Sequence, residues 1–321
     1  MGFGSKLKLY RENKKLTQKQ VAEVLDVEPA TVSKYESEAL EPNIESLKCL
    51  AELFEVSLDE LLSDETESAN TINKFDITQI NVLEVLREQR AFNLKGNLYH
   101  NTQIIFAYNT NHIEGSKLSE EQTRHIYETN TVLFKEDTVA NIDDIIETIN
   151  HFKLVDYMLD IAEKNLSEKM IKEFHKILKE GTSDSKRDWF NVGEYKQLPN
   201  EVGGTKTTSP KLVATQMKKL LEWYNALKKV TIKEIIEFHA KFEKIHPFQD
   251  GNGRIGRIII FKECLKHNII PFIILDNDKF FYYRGLKEYL ENREKGYLID
   301  TCLNAQDQYT AMIKYYLNAK K

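Results

Sequence analysis

A histidine, a carboxylate and two arginines lie within the stretch 246–257, between two apolar patterns of helical spacing. His246 opens the run HPFQDGNGR, residues 246–254, and Arg257 follows one helical turn later. An imidazole can take a proton from a hydroxyl near neutral pH. A carboxylate such as Asp250 is the ligand that Mg²⁺ uses when phosphates and water fill its remaining positions. The pattern therefore predicts phosphoryl-type transfer at this loop.

The second half of the same run predicts an anion site. Gly251, Asn252 and Gly253 stand directly before an apolar helical pattern. A glycine-rich loop that enters a helix exposes backbone N–H groups at the positive end of the helix dipole. Arg254 and Arg257 are three residues apart, so both guanidinium groups can project from one face of the first turn. We expect both to bind the same polyphosphate.

The run matches H-P-F-x-D-G-N-G-R-x-x-R at every defined position and resembles the signature of the Fic (Fido) family. The resemblance covers about residues 77–321. It implies an α-helical domain with a Fic core at about 165–305, which transfers AMP from ATP to a Ser, Thr or Tyr hydroxyl of a target protein or of the chain itself. ATP as donor and Mg²⁺ are implied with it.

The same resemblance implies a role for each motif residue. His246 would be the base, Asp250 the Mg²⁺ ligand and Phe248 a buried anchor. The remaining implied roles concern the nucleotide: Gly251, Asn252 and Gly253 for the α and β phosphates, Arg254 for the β phosphate, Arg257 for the γ phosphate, and Tyr283 for the adenine. His239 lies on the same helical face as His246, and we interpret it as a structural residue.

Residues 110–115, TNHIEG, match the family's inhibitory motif [S/T]-x-x-x-E-[G/N], on a helix expected near 102–115. A carboxylate at Glu114 can pair with Arg257, which then cannot bind the γ phosphate of ATP. The resemblance therefore implies an autoinhibited enzyme. Glu114 could also position a water molecule, so the sequence leaves open that the enzyme removes AMP as well as adding it.

The stretch 202–208 has the chemistry of a small β-hairpin, because a Gly-Gly pair stands beside β-branched residues. It lies where the family has its flap, a hairpin that aligns a target segment by strand addition. The flap residues that this resemblance implies are Val202, Gly203, Gly204 and Thr205. Such a flap indicates protein substrates without naming them.

The N-terminal part predicts a helix-turn-helix. Thr17 with Gln20 three residues later is a capping box, and Pro29 begins a second helix after a turn at Asp26. Residues 7–62 resemble the five-helix DNA-binding domain of the Cro/phage-repressor type. In that family the second helix enters the major groove, which makes three residues candidates for DNA contact: Thr31, Ser33 and Lys34.

The charge of this domain leaves a second interpretation open. Residues 1–62 contain 8 Lys and Arg against 12 Asp and Glu, a net of −4, and the whole chain has a net charge of −5. Neutralisation of phosphates supplies most nonspecific affinity for DNA. The alternatives are therefore a DNA-binding domain and a small domain for dimerisation or protein contact. The latter is compatible with a homodimer.

Composition and helical periodicity predict a mainly α-helical, two-domain protein. We expect a helix-turn-helix domain at 1–64, a polar linker at 65–76 and the catalytic region at 77–321. The three cysteines, Cys49, Cys264 and Cys302, have neither zinc-site nor disulfide spacing. With no apolar run long enough for a bilayer and no signal peptide, we expect a cytoplasmic protein without membrane contact.

Two further functional alternatives remain from the sequence. The chain could be a DNA-binding transcriptional regulator whose Fic domain senses nucleotide or modifies the regulator itself. Alternatively, the enzyme could use a donor other than ATP, since relatives of the fold move UMP. The two intact arginines favour a nucleoside triphosphate donor.

Overall fold

The computed structural model describes residues 3–14, 16–54, 56, 58, 61, 80–134, 140–202, 205–291 and 294–318. The chain divides into two compact units, Met1–Asp76 and Ile77–Lys321. The predicted linker at 65–76 lies outside the described residues. Within the described residues, no helix is both long and apolar enough to cross a membrane.

The described part of the N-terminal unit contains four helices: α1 (Phe3–Asn13), α2 (Gln18–Leu25), α3 (Pro29–Glu36) and α4 (Ile44–Phe54). The predicted capping box is confirmed, because the Gln20 N–H donates to Thr17 Oγ1 and the Thr17 N–H donates to Gln20 Oε1. Asp26 ends α2 in the left-handed conformation, with φ 53°. Asp tolerates this conformation better than most residues, so the turn after α2 does not require a glycine.

The buried side chains of α1 to α4 form one apolar core, which includes Leu7, Val21, Val32 and Leu50. Most of the fifth helix that the sequence predicts falls outside the described residues and stays a prediction. Of its apolar positions, Leu58 packs against this core and Leu61 is buried in it.

The described part of the C-terminal unit is mainly helical, as predicted. Its helices are α5 (Val82–Phe92), α6 (Leu98–Ile113), α7 (Glu120–Thr129), α8 (Ile142–Asp160), α9 (Glu168–Lys179), α10 (Pro210–Asn225), α11 (Ile232–Ile245), α12 (Asn252–Lys266), α13 (Lys279–Leu290) and α14 (Gly296–Asn318). Two short strands, β1 (Glu201–Val202) and β2 (Thr205–Lys206), pair antiparallel with Val202 opposite Thr205. The predicted hairpin is thus present at its strands, while Gly203 and Gly204 lie outside the described residues.

Helix α12 is the centre of this unit. Every residue from Arg254 to Leu265 is buried, and α12 packs against α5, α6, α8, α9 and α11. A helix that is apolar on most sides, as the run of Ile255, Ile258, Ile259 and Ile260 makes it, is stable only when other helices surround it. The surrounding helices therefore hold the N-terminal end of α12, where the glycine-rich loop ends, in a fixed position.

Helix α6 is buried although many of its side chains are polar. Asn109, Thr110 and Asn111 are each less than one tenth exposed. Buried polar groups need partners, and α6 finds them on several sides: Asn111 donates to Thr148 Oγ1 at 3.3 Å, and Asn109 Oδ1 accepts from the Asp276 N–H at 2.8 Å. These contacts anchor the helix whose C-terminal end carries Glu114.

Candidate functional site

The loop between α11 and α12 is closed by its own side chains. His246 ends α11 in the left-handed conformation with φ 51°, and Gly251, with φ 81°, precedes α12. Asn252 Oδ1 accepts from the Phe248 N–H at 2.8 Å, and its amide donates to the Phe248 carbonyl at 2.9 Å. The Asn252 side chain is therefore occupied with shaping the loop, so only its backbone N–H remains for an anion.

Phe248 is buried and stacks on the His175 ring, with ring centroids 4.1 Å apart and planes 1° from parallel. His175 accepts from the Gly193 N–H at 2.8 Å. Burial lowers the pKa of His175 to about 3, so this ring is neutral at physiological pH. The stack fixes the middle of the loop against α9.

His246 is held from the side of its own helix. Its Nδ1 is enclosed and lies 3.6 Å from Glu243 Oε2, one turn earlier on α11. The two side chains are 15% and 10% exposed. Since the two ring nitrogens lie on different edges of the imidazole, Nε2 is the nitrogen that can act on a substrate.

Arg254 and Asp250 belong to a network of four buried or half-buried charges. Arg254 pairs with Glu147 Oε2 and, at 3.1 Å, with Asp250 Oδ2. Lys179 Nζ lies 2.5 Å from Glu147 Oε1 and 2.6 Å from Asp250 Oδ2. Burial alone would raise the pKa of the Asp250 carboxyl, but Arg254 and Lys179 hold it below its usual range. Asp250 is therefore ionised, with 48% of its side chain exposed.

Arg257 has a different set of partners. Its Nη2 lies 2.6 Å from Glu114 Oε1 and donates to the Thr110 carbonyl at 3.0 Å, while Nε donates to Thr110 Oγ1 at 2.6 Å. Thr110 and Glu114, the two defined positions of the inhibitory motif before its glycine, thus contact the same Arg257 guanidinium. Arg254 and Arg257 start from one helical face, as the spacing predicts. Arg254 pairs with Glu147 and Asp250, whereas Arg257 pairs with Glu114.

The Glu114 carboxylate also reaches the backbone at the start of α12. A Cβ added to Gly253 would collide with Glu114 Oε1 and lie 3.0 Å from Arg257 Nη1. Any side chain at 253 would therefore have to displace the Glu114 carboxylate from this position. In this structure a carboxylate lies against the predicted anion cradle.

The adjacent tyrosines of α13, Tyr282 and Tyr283, differ in their surroundings. Tyr282 is buried, and its hydroxyl is 2.6 Å from His239 Nε2. Tyr283 is 43% exposed, and its hydroxyl donates to the Ile113 carbonyl, next to Glu114, at 3.2 Å. Tyr283 therefore lies beside the Glu114–Arg257 pair with part of its ring open, whereas His239 and Tyr282 are packed inside, as expected of structural residues.

The segment that leads into the β1–β2 hairpin is hydrogen-bonded to the loop between α11 and α12. The Lys196 N–H donates to the Pro247 carbonyl at 2.8 Å, and Asn200 donates to the Phe248 carbonyl at 3.1 Å. Lys196 Nζ donates to Asn200 Oδ1 at 2.7 Å and to Thr207 Oγ1 at 2.6 Å. The position of the hairpin is thus coupled to the loop that carries His246.

The three candidate DNA contacts on α3 of the N-terminal unit differ in their exposure to solvent. Ser33 and Lys34 are exposed and Thr31 is half-buried, while Val32 and Tyr35 pack inward. The alternation follows from helical geometry, since positions 32 and 35 share the core face. Ser33 and Lys34 are accessible to a partner.

Sequence reasoning missed three residues that the structure places around the motif: Glu147, Lys179 and Glu243. Only Glu243 had a signal, because it lies three residues before His246 on the same helical face. Glu147 is 107 residues from Arg254, and no pattern in the sequence connects them.

Two parts of the chain match the models of known protein families. Residues 165–263 match the Fic/DOC family, and residues 7–61 match the helix-turn-helix family. Over 82 residues the chain is 45% identical to the HTH-type transcriptional activator BcrR of Enterococcus faecalis. The aligned region covers 25% of this chain and 40% of that protein.

The chain is also 28% identical over 193 residues to protein adenylyltransferase fic-1 of Caenorhabditis elegans. This aligned region covers 58% of this chain and 36% of that protein. The chain thus spans less than half of the length of either of these curated relatives. A Fic domain containing signaling protein from Bacteroides thetaiotaomicron has the same fold, with a TM-score of 0.60, 23% identity, and coverage of 74% of this chain and 97% of that one.

Proposed function

Because the chain contains a Fic domain preceded by a helix-turn-helix domain, we propose that it is a protein adenylyltransferase that moves AMP from ATP to a hydroxyl side chain of a target protein or of itself. The observation that carries the proposal is the loop 246–254. It brings a partly exposed histidine, an ionised carboxylate and the N-terminal end of a helix together at one site.

The residues divide the reaction between them. His246 Nε2 takes the proton of the attacking hydroxyl, whose oxygen forms a bond to the α-phosphorus of ATP while the bond to the β-phosphate oxygen breaks. Pyrophosphate leaves. The backbone N–H groups of Asn252 and Gly253, with Arg254, stabilise the charge on the phosphates, and we assign the γ phosphate to Arg257 and the adenine to Tyr283.

The donor set also fits one Mg²⁺ ion held jointly with phosphates. Asp250 is ionised and half-exposed at the edge of the cradle. Among the residues with assigned positions, no group of three His, Cys, Asp or Glu side chains could hold a metal by itself, so phosphate and water oxygens would complete the shell. Bound there, the ion would neutralise charge on the phosphates.

The hairpin supports a protein as the acceptor. Strands β1 and β2 lie directly after the segment that is hydrogen-bonded to Pro247 and Phe248. Exposed strand edges bind extended segments through main-chain hydrogen bonds. A target segment that adds to Val202 or Thr205 would be held in register beside the base.

Intact-mass analysis tests the activity. We expect the Glu114→Gly variant, incubated with ATP and Mg²⁺, to gain the mass of AMP on itself or on an added protein acceptor. The added change His246→Ala should abolish the gain, because no other group replaces the base. UTP in place of ATP tests the alternative donor. If no nucleoside triphosphate gave a nucleotidyl adduct, transferase activity would be refuted.

A second function is supported by the exposed Ser33 and Lys34 on α3. We propose that the N-terminal unit binds DNA through this helix, in the manner expected of a recognition helix. The acidic balance of residues 1–62 opposes tight nonspecific binding. Specific contacts would therefore have to provide most of the affinity. Dimerisation or protein contact remains the competing role for this unit.

Binding of the full chain to its own promoter fragment, measured at several salt concentrations, tests this role. We expect Lys34→Glu to weaken binding and to lower the slope of log affinity against log salt by about one or more. Lys8→Glu makes the same charge change on an exposed position of α1 and should have a smaller effect. Equal binding of both variants and the parent would argue for the protein-contact role.

A further inference from the structure

Glu243 is a nearly buried carboxylate that the proposed reaction does not yet use. It lies on α11 one turn before His246, with 10% of its side chain exposed and Oε2 3.6 Å from His246 Nδ1. Its Oε1 and His246 Nδ1 are both enclosed without a hydrogen-bond partner. Burying an unpaired carboxylate is unfavourable, so its position beside the base requires an explanation.

The surroundings keep this carboxylate charged. Burial would raise the pKa of Glu243, but His246, His239 and Arg257 hold it below its usual value. The hydroxyls of Tyr282 and Tyr283, on α13, also lie within its electrostatic reach. An ionised carboxylate only accepts hydrogen bonds, so the ring nitrogen that faces it must carry the proton.

Gly256 on α12 makes room for this arrangement. A Cβ at this position would lie 2.8 Å from Glu243 Oε1 and 2.7 Å from His239 Nδ1. Real Cβ contacts of this length do not occur, so any larger residue would displace one of the two side chains. The close approach of α12 to α11 thus depends on the absence of a side chain at 256.

We propose that Glu243 is a positioning residue for His246, and this proposal rests on the proposed transfer reaction. The carboxylate selects the tautomer with the proton on Nδ1, which leaves the Nε2 lone pair free to take the proton of the target hydroxyl. It then stabilises the imidazolium that forms. A separation of 3.6 Å is longer than a hydrogen bond, and contacts of this kind commonly shorten when the substrate binds.

The test compares Glu243→Gln and Glu243→Ala with the parent Glu114→Gly protein. We expect Ala to lower kcat by about 100-fold and Gln by about 10-fold, because the Gln oxygen still accepts from Nδ1 but has no charge. The dissociation constant for ATP should change by less than about 2-fold, since Glu243 does not face the phosphates in the proposal. Glu237→Gln, on a more exposed part of α11, is the matched control and should leave kcat unchanged.

Nitrogen NMR of the histidine-labelled parent supplies a readout that needs no activity. We expect His246, identified by the signals that His246→Ala removes, to carry its proton on Nδ1, and Glu243→Ala to shift the population toward Nε2. An Nε2-protonated His246 in the parent, or a kcat for Glu243→Ala equal to that of the parent, would overturn the positioning role. A parent that transfers no AMP while showing the Nδ1 tautomer would refute the proposed function and leave the positioning intact.

Discussion

Replacing Glu114 with Gly should raise AMP transfer by about 10- to 100-fold. The Glu114 carboxylate is bound to Arg257 Nη2 at 2.6 Å and lies against Gly253 at the start of α12. A charge-assisted hydrogen bond contributes about 1.5–3 kcal/mol, which corresponds to about that range of rate. Its removal frees Arg257 for the γ phosphate and clears the cradle of negative charge. Initial rates with α-labelled ATP measure the effect.

Glu114→Gln separates charge from volume. The amide keeps the shape of the side chain and can still accept a hydrogen bond from Arg257, but it no longer repels phosphate. We expect a rate between those of the parent chain and Glu114→Gly. Equal rates for the parent chain and Glu114→Gly would refute inhibition by Glu114. In that case the pair with Arg257 would be a structural contact.

Replacing Lys179 with Met should lower the free energy of unfolding of the C-terminal unit by about 3–5 kcal/mol, the usual loss when one partner of a buried ion pair is removed. Lys179 is 3% exposed and lies between the carboxylates of Glu147 and Asp250. Without the ammonium group, these two carboxylates would share Arg254 as their nearest cation. Urea unfolding followed by tryptophan fluorescence reports on this unit alone, because both tryptophans, Trp189 and Trp223, lie within it.

Two variants make this measurement specific. Lys176→Met, at an exposed position of the same helix α9, should change the free energy of unfolding by less than about 0.5 kcal/mol. The double variant Lys179→Met with Glu147→Leu removes one charge of each sign and keeps the Arg254–Asp250 pair. We expect it to be more stable than Lys179→Met alone. If the double variant lost as much free energy of unfolding as the two single variants added together, that result would contradict a coupled network.

The stability of this network bears on function through Arg254 and Asp250. Both residues that we assign to phosphate and Mg²⁺ are held by Glu147 and Lys179, which come from α8 and α9. Charged ligands that are already oriented need less reorganisation when the nucleotide binds. The network therefore orients the groups that we assign to anion binding. It also keeps them paired with protein charges until the phosphates of a nucleotide compete for them.

The sequence by itself determined the chemistry of the loop, because the residues concerned are contiguous. Asn252 closes the loop onto Phe248 four residues away. The glycines and the two arginines all lie at the start of one helix. Helix starts such as the capping box of Thr17 and Gln20 are equally local, and the sequence predicted them correctly. The mainly helical fold follows from apolar periodicity within each segment.

Only the tertiary structure decided which partners the charges have. Glu147 meets Arg254 across 107 residues and Glu114 meets Arg257 across 143. The first contact had no signal, and the second depended on a motif instead of on spacing. The reason is physical: α12 is buried on nearly all sides, so packing of the helices around it selects which acids reach its arginines. Glu243 lies between these cases, since helical spacing places it beside His246, but only burial against Gly256 makes its carboxylate a candidate for orienting the base.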